Sequence, residues 1–276
     1  MKVVVDGALL EAESARISPF DHGLLVGDGV FETLRVYDGV PFAWTRHAAR
    51  LVRSAEGLGL AVPSEPDLRK AAASVVDANR VREGRVRITV TGGPSPLGSE
   101  RGDAAPTWVV AASPMTPWPP TVDVVLVPWV RNERSAVAGL KTTSYAENVV
   151  ALARAHDRGA SEALFANTVG QLCEGTGSNV FVVLDGELHT PPVSSGCLAG
   201  ITRALTVEWT GAKETDLPMD VLHSAEEIFL TSTLRDVQAV RRVDGRDTPG
   251  APGPVTTKAM RVFEERAAAD RDPKSL

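Results

Sequence analysis

The segment from Ala138 to His156, AGLKTTSYAENVVALARAH, decides how this chain is read. From Tyr145 onward its spacing is helical, with Val149, Val150, Leu152 and Ala153 forming an apolar side. Ser144, followed three residues later by Glu147, has the form of a capping box and marks the helix start. Lys141 stands just ahead of that helix beside a run of hydroxyls, where the chain turns inward. Such a place suits a buried amine better than a solvated one, which makes Lys141 the first candidate for chemistry.

Working outward from it, the upstream chain alternates between strands and helices. KVVVDG reads as a strand, FETLRVYDGVPFAW as a hairpin turning at Asp38 and Gly39, residues 45–60 as a helix, and RVRITVTGG and TWVVAAS as two further strands. The proline-dense stretch Ser113 to Asp123, SPMTPWPPTVD, predicts a boundary: a first domain over 1–113, a linker over 114–123 and a second domain over 124–276. Downstream, VDVVLVPW, EALFAN, NVFVVLDGELHTPP and EEIFLTSTLRDVQAV are strand-rich, with helices opening at GITRALTVEW and running from about Val255 to Ala268. Strand runs broken by a few helices point to a mixed α/β (α+β) class without regular crossover units.

Composition narrows the ligand. A net charge of -6 at pH 7 with no long basic block argues against nucleic acid or an anionic membrane as partner, and favours a small molecule. Only Cys173 and Cys197 occur, without a CxxC pattern, so reduced thiols in a cytoplasmic protein are expected. The start MKVVVDGALL lacks the basic and apolar regions of a signal peptide, and no apolar run reaches the roughly 20 residues needed to span a bilayer. His22, His47, His156, His189 and His223 show no metal-ligand spacing, so no catalytic metal is expected.

Four short pieces combine into one chemical inventory. Lys141 is an amine; Glu174, in CEGTGSNVF, is an acid at a strand end. In LAGITRAL, Gly200 precedes a helix whose first amides, at Ile201 and Thr202, suit an anion, and in FLTSTLRD the hydroxyls of Thr231, Ser232 and Thr233 close a strand. Pyridoxal 5'-phosphate needs such a set. Its aldehyde condenses with a lysine, its pyridine nitrogen stays protonated against a carboxylate, and its phosphate takes helix amides, hydroxyls and an arginine, for which Arg50 in TRHAARLVRSAEGLGL is available. Alone, Arg46, Arg50 and Arg53 would read as a solvated helix face.

The order of LKTTSYAENV, LCEGTGSNVFVV, TPPVSSGCLAGITR and EIFLTSTLRDV, together with DHGLLVGDGVFETLRVYDG and RHAARLVRSA, resembles the class IV aminotransferase family, the fold-type IV pyridoxal phosphate enzymes, over nearly the whole chain. The resemblance implies a small N-terminal α/β domain, a larger C-terminal pseudo-barrel domain and a homodimer. It implies that Lys141 binds the cofactor covalently and moves the proton at the substrate α-carbon, and that Glu174 pairs with the pyridine nitrogen. Arg50, the Ile201 and Thr202 amides, Ser232 and Thr233 would serve the phosphate, and Tyr145 the ring hydroxyl.

Members of this family transaminate branched-chain amino acids, D-amino acids or (R)-amines, or cleave 4-amino-4-deoxychorismate. Branched-chain enzymes usually read Phe-Glu-Gly where this chain has Phe31, Glu32 and Thr33. The hydroxyl of Thr33 resembles that of the lyases, where it assists proton delivery, so the expected reaction is release of pyruvate and 4-aminobenzoate. The alternative is an aminotransferase on branched-chain or D-amino acids, towards which Tyr145 leans. TGGPSPLGSERGD lacks the histidine of the D-amino-acid enzymes, which leaves Arg87, Arg101 or another cation to hold a carboxylate.

Overall fold

Residues 1–274 are described by the computed structural model and divide into two units. The first comprises 1–117, Leu140–Tyr145 and the C-terminal segment from Asp270 on; the second comprises Trp118–Gly139 and Ala146–Ala269.

In the first unit, six strands pair in the order β2-β1-β6-β5-β3-β4: β1 (Lys2–Val5), β2 (Ala8–Glu11), β3 (Gly29–Tyr37), β4 (Val40–Pro41), β5 (Gly84–Thr91) and β6 (Thr107–Pro114). The short α1 (His22–Leu25) precedes β3, while α2 (Trp44–Leu58) and α3 (Glu65–Ala78) follow β4. Strand β3 sends Val30, Glu32, Leu34 and Val36 into the core, and Phe31, Thr33, Arg35 and Tyr37 to the other face. Positive φ at both Asp38 and Gly39, 51° and 82°, closes the hairpin, which explains the Asp-Gly pair. The core is built from β3, β5 and β6 against the buried stripes of α2 and α3.

Helix α3 is absent from the strand-and-helix pattern drawn above, although Ser64 caps it, Pro66 lies in its first turn, and Leu68, Ala71, Ala72, Val75 and Val76 keep helical spacing. Its alanines make the stripe too weakly apolar to stand out.

In the second unit, the main sheet runs β12-β11-β10-β13-β14-β7-β8-β9 with β15 paired to β14. The strands are β7 (Thr121–Arg131), β8 (Glu162–Asn167), β9 (Leu172–Gly175), β10 (Asn179–Leu184), β11 (Glu187–Thr190), β12 (Lys213–Glu214), β13 (Glu227–Ser232), β14 (Asp236–Val243) and β15 (Arg246–Asp247). Parallel pairs β14–β7 and β7–β8 sit among antiparallel ones, giving the mixed class expected. Phe181 and Phe229 stack across β10 and β13 at 4.8 Å, a pair worth roughly 1 kcal/mol beyond its buried area. The helices are α4 (Ala146–Asp157), α5 (Ile201–Thr210) and α6 (Pro254–Ala269).

Two local readings differ from the structure. Helix α4 begins at Ala146, too late for Ser144 to cap it: the Ser144 hydroxyl donates to Gly27 O, and Glu147 pairs with Arg131. Its buried face is Ala151 and Ala155, whereas Val149 and Val150 are 63% and 53% exposed. Small alanines let α4 lie close on β7 and β8, and the valines fall on the opposite side. In addition, 140–145 and the C-terminal segment pack with the first unit, although both lie beyond the proline-dense stretch in sequence. The physical cause for the former is a strand-like pairing with β3.

Candidate active site

The predicted site residues fall into two clusters, one in each unit. Lys141, Thr33, Tyr145 and Arg50 belong to the first; Glu174, Ile201, Thr202, Ser232 and Thr233 belong to the second.

In the first unit, the lysine segment lies along β3. Phe31 N donates to Lys141 O at 3.1 Å, Thr143 N donates to Gly29 O at 2.8 Å, and Val30 and Thr142 form an antiparallel bridge. A side chain at Gly29 would bring its Cβ within 3.0 Å of Thr143 Oγ1, so the close approach requires glycine. Lys141 N donates to Ser54 Oγ on α2 at 3.1 Å, which fixes the residue from a second side.

So held, the Lys141 ammonium lies 4.3 Å from the centre of the Phe31 ring. The Arg87 guanidinium lies 3.8 Å from that ring, and the Tyr145 ring meets it edge-on at 5.3 Å. Thr33 lies directly across from Arg87 in the β3–β5 register. Arg87 donates to Thr89 Oγ1 at 3.2 Å and makes no ion pair among the described residues. Desolvation holds its pKa below the usual arginine value, with Tyr145 opposing. Arg101 is engaged elsewhere, bound through two nitrogens to Asp28 at 2.7 and 2.6 Å.

On the core side of β3, a buried charge cluster supports the segment. Arg50 Nε and Nη2 donate to the two oxygens of Glu32 at 2.7 and 2.8 Å, and His47 Nδ1 donates to the same carboxylate at 2.7 Å. Burial by itself would raise the Glu32 pKa, but the charges and hydrogen bonds of Arg50, then of His47, hold it well below the ordinary carboxylate range. Burial drives the His47 pKa down; Glu32 opposes, while Arg50 and Lys141 add to the fall. The expectation of a solvated Arg46–Arg50–Arg53 face therefore fails at Arg50, which is buried in the same helical stripe as His47, Leu51 and Ser54.

In the second unit, Glu174 on β9 pairs through Oε1 with Arg131 Nε at 3.1 Å and accepts from Leu198 N at 2.9 Å. Asn179 Nδ2 donates to Leu198 O at 2.9 Å, which fastens the loop leading into α5. Gly200 is the N-cap of α5 and supplies no side-chain cap; a Cβ there would meet Asn179 Oδ1 at 2.1 Å. The amides of Ile201 and Thr202 thus open a helix without a capping side chain. Thr231 Oγ1 is buried without a hydrogen-bond partner among the described residues, at the end of β13, next to Ser232 and Thr233. Cys173 is buried, and burial first, then Glu174, pushes its thiol pKa up, which agrees with a space-filling role.

Three residues of these clusters were not singled out from sequence. Glu32 carried a faint signal, since the strand period puts it on an apolar face. Arg131 and Glu162 carried none. Glu162 accepts from Thr176 N and Ser178 Oγ at 2.9 and 3.1 Å and pairs with Arg235, so it holds the turn after Glu174. Among the described residues no group of histidines, cysteines or carboxylates is arranged to hold a metal, and no helix is long and apolar enough to cross a membrane.

Comparison with known proteins gives the family. Residues 29–243 match the amino-transferase class IV family. The chain is 34% identical over 279 residues to a putative branched-chain-amino-acid aminotransferase of Methanocaldococcus jannaschii, covering 96% of each. It is 32% identical to a D-alanine aminotransferase of Bacillus licheniformis, again covering 96% of each. Among solved structures, the branched-chain aminotransferase of Escherichia coli superposes with a TM-score of 0.91 at 26% identity, covering 96% of this chain and 93% of that one. A putative 4-amino-4-deoxychorismate lyase of Legionella pneumophila superposes with a TM-score of 0.87 at 25% identity, covering 92% and 96%. The aminotransferase reading is thereby better supported than the lyase expected from Thr33. The chain belongs to the class IV aminotransferases, pyridoxal phosphate-dependent enzymes of fold-type IV.

Proposed function

We propose that the protein is an aminotransferase that exchanges an amino group between an α-amino acid and a 2-oxo acid. The observation that carries this reading is Arg87, a cation at the same aromatic ring as Lys141 and without an ion-pair partner among the described residues. A substrate carboxylate is the counter-charge such a guanidinium takes, and a bidentate pair also fixes the substrate's orientation. The relatives named for branched-chain amino acids and D-alanine support the same class.

The residues present fit the cofactor. The uncapped start of α5 and the Thr231 hydroxyl, without a partner among the described residues, suit a phosphate, and the Arg131-held Glu174 suits a pyridinium. Bound pyridoxal phosphate supplies an electron sink at the substrate α-carbon. Lys141 Nζ would hold the cofactor covalently and would carry the α-proton. Glu174 would pair with the pyridine nitrogen and Tyr145 with the ring hydroxyl, and Arg50, the Ile201 and Thr202 amides, Ser232 and Thr233 would serve the phosphate.

A lyase is the second reading, favoured by Thr33 facing Arg87 across β3 and β5. One assay separates the two. An amino-acid panel with 2-oxoglutarate is expected to turn over, and aminodeoxychorismate without any oxo acid is expected to release no pyruvate. Sustained pyruvate and 4-aminobenzoate release would reverse the assignment. Lys141→Ala should abolish turnover and the borohydride-reducible cofactor link; Arg87→Met should raise KM for amino acids about tenfold or more, the loss of one charge-assisted pair.

A homodimer in the cytoplasm completes the reading. Its support is the exposure of Val149 and Val150 on α4 and of Trp129 and Val130 on β7, large apolar side chains that a second copy would cover. Light scattering that returned only a monomer would remove the dimer.

A further inference from the structure

Helix α2 carries Arg50, His47 and Ser54, yet its own N-cap, Ala43, has no side chain able to cap it. The cap comes from 227 residues away. Thr45 N donates to Asp272 Oδ1 at 2.8 Å and Thr45 Oγ1 donates to Asp272 Oδ2 at 2.7 Å. Thr45 is the second helical residue, the position whose amide a local N-cap side chain would ordinarily satisfy. Around this contact, Ala43 N donates to Arg271 O at 2.8 Å, and the Arg46 guanidinium donates to Pro273 O and Lys274 O at 2.8 and 3.0 Å. A negative carboxylate at this end also opposes the positive end of the helix dipole.

We propose that Asp272 is a positioning residue for cofactor binding: by capping α2 it sets the register of the helix that presents Arg50 and His47 to Glu32 and Ser54 to Lys141. The proposal rests on the reading of Lys141 and Arg50 as cofactor residues. A second capped helix provides the control. The buried Glu227 accepts from Val255 N and Thr256 N at the start of α6, a helix that carries no residue assigned to the cofactor.

The test uses the full-length chain with Asp272→Ala, Asp272→Asn and Glu227→Ala. Hydrogen exchange of the amides of 44–48 is followed, with pyridoxal phosphate affinity and the pH titration of its bound absorbance. Asp272→Ala should speed exchange in that turn about fivefold, the loss of one cap, and weaken cofactor affinity by a similar factor with a shifted titration midpoint. Asp272→Asn, which keeps an acceptor, should restore most of both. Glu227→Ala should lower the unfolding midpoint while cofactor affinity and titration stay as in wild type.

Wild-type affinity in Asp272→Ala would overturn the proposal, as would unchanged exchange. If Asp272→Ala does not fold, Thr45→Val removes one of the two bonds and carries the same readouts. A wild type that forms no borohydride-reducible link at Lys141 would sink the cofactor reading instead, and the exchange data would still report the cap.

Discussion

Helices α5 and α6 begin in the same unit and solve the same problem in opposite ways. At α6 the buried Glu227 takes the amides of Val255 and Thr256 at 3.0 and 2.7 Å. Gly253 makes room for it, since a Cβ there would lie 2.4 Å from Glu227 Oε1. At α5 the N-cap is Gly200, with no side-chain cap, and the first turn of the helix contains no carboxylate. Both helix ends attract negative charge through the same dipole and the same unsatisfied amides. A carboxylate built into the chain stabilises the fold but repels any other anion. The difference therefore separates a helix start used for stability from one suited to a ligand.

The sharpest way to break this contrast is to give α5 the charge that α6 has. Thr202→Asp should lower pyridoxal phosphate affinity on the order of 100-fold by like-charge repulsion at close range. Titration of the apo-protein checks it; wild-type affinity would mean that α5 does not serve the phosphate. The converse change, Glu227→Gln, places an amide donor against a helix amide. It should destabilise by about 2 kcal/mol in urea unfolding and leave cofactor affinity alone.

The smallest effect concerns a carboxylate held by side chains in place of helix amides. His47 has a folded pKa below its ordinary value, mainly through burial, so its neutral form is favoured in the fold. The corresponding stability is present above the ordinary histidine range and is lost as pH falls towards the folded value. As pH falls through the ordinary histidine range the wild type should lose stability that His47→Gln does not lose. Equal slopes in the two proteins would mean that His47 does not titrate against the Glu32 cluster.

Much of the molecule was legible in the chain itself. The Asp38–Gly39 hairpin follows from two positive φ values that few other pairs tolerate, and α5 and α6 follow from apolar spacing and their glycine and proline punctuation. The candidate residues were nameable because Glu174 and the 231–233 hydroxyls stand at or beside strand ends and Lys141 in the connection ahead of α4, where side chains recur in recognisable order. Helix α4 was misjudged for a physical reason. Periodicity locates an apolar stripe but does not say whether valine or alanine faces inward, and close packing on β7 and β8 chose alanine.

Sequence alone thus determined most of the element types, the mixed class and the family resemblance, and it named the amine, acid and hydroxyl groups proposed for the site, because each depends on residues close together in the chain. Only the tertiary structure decided that residues 140–145 join the first sheet, that Arg50 is buried against Glu32, that Arg87 rather than Arg101 lacks an ion-pair partner among the described residues, and that Asp272 caps α2. These are contacts over 18 to 227 residues. Their partners are selected by the packing of whole elements, which no local pattern of side chains encodes.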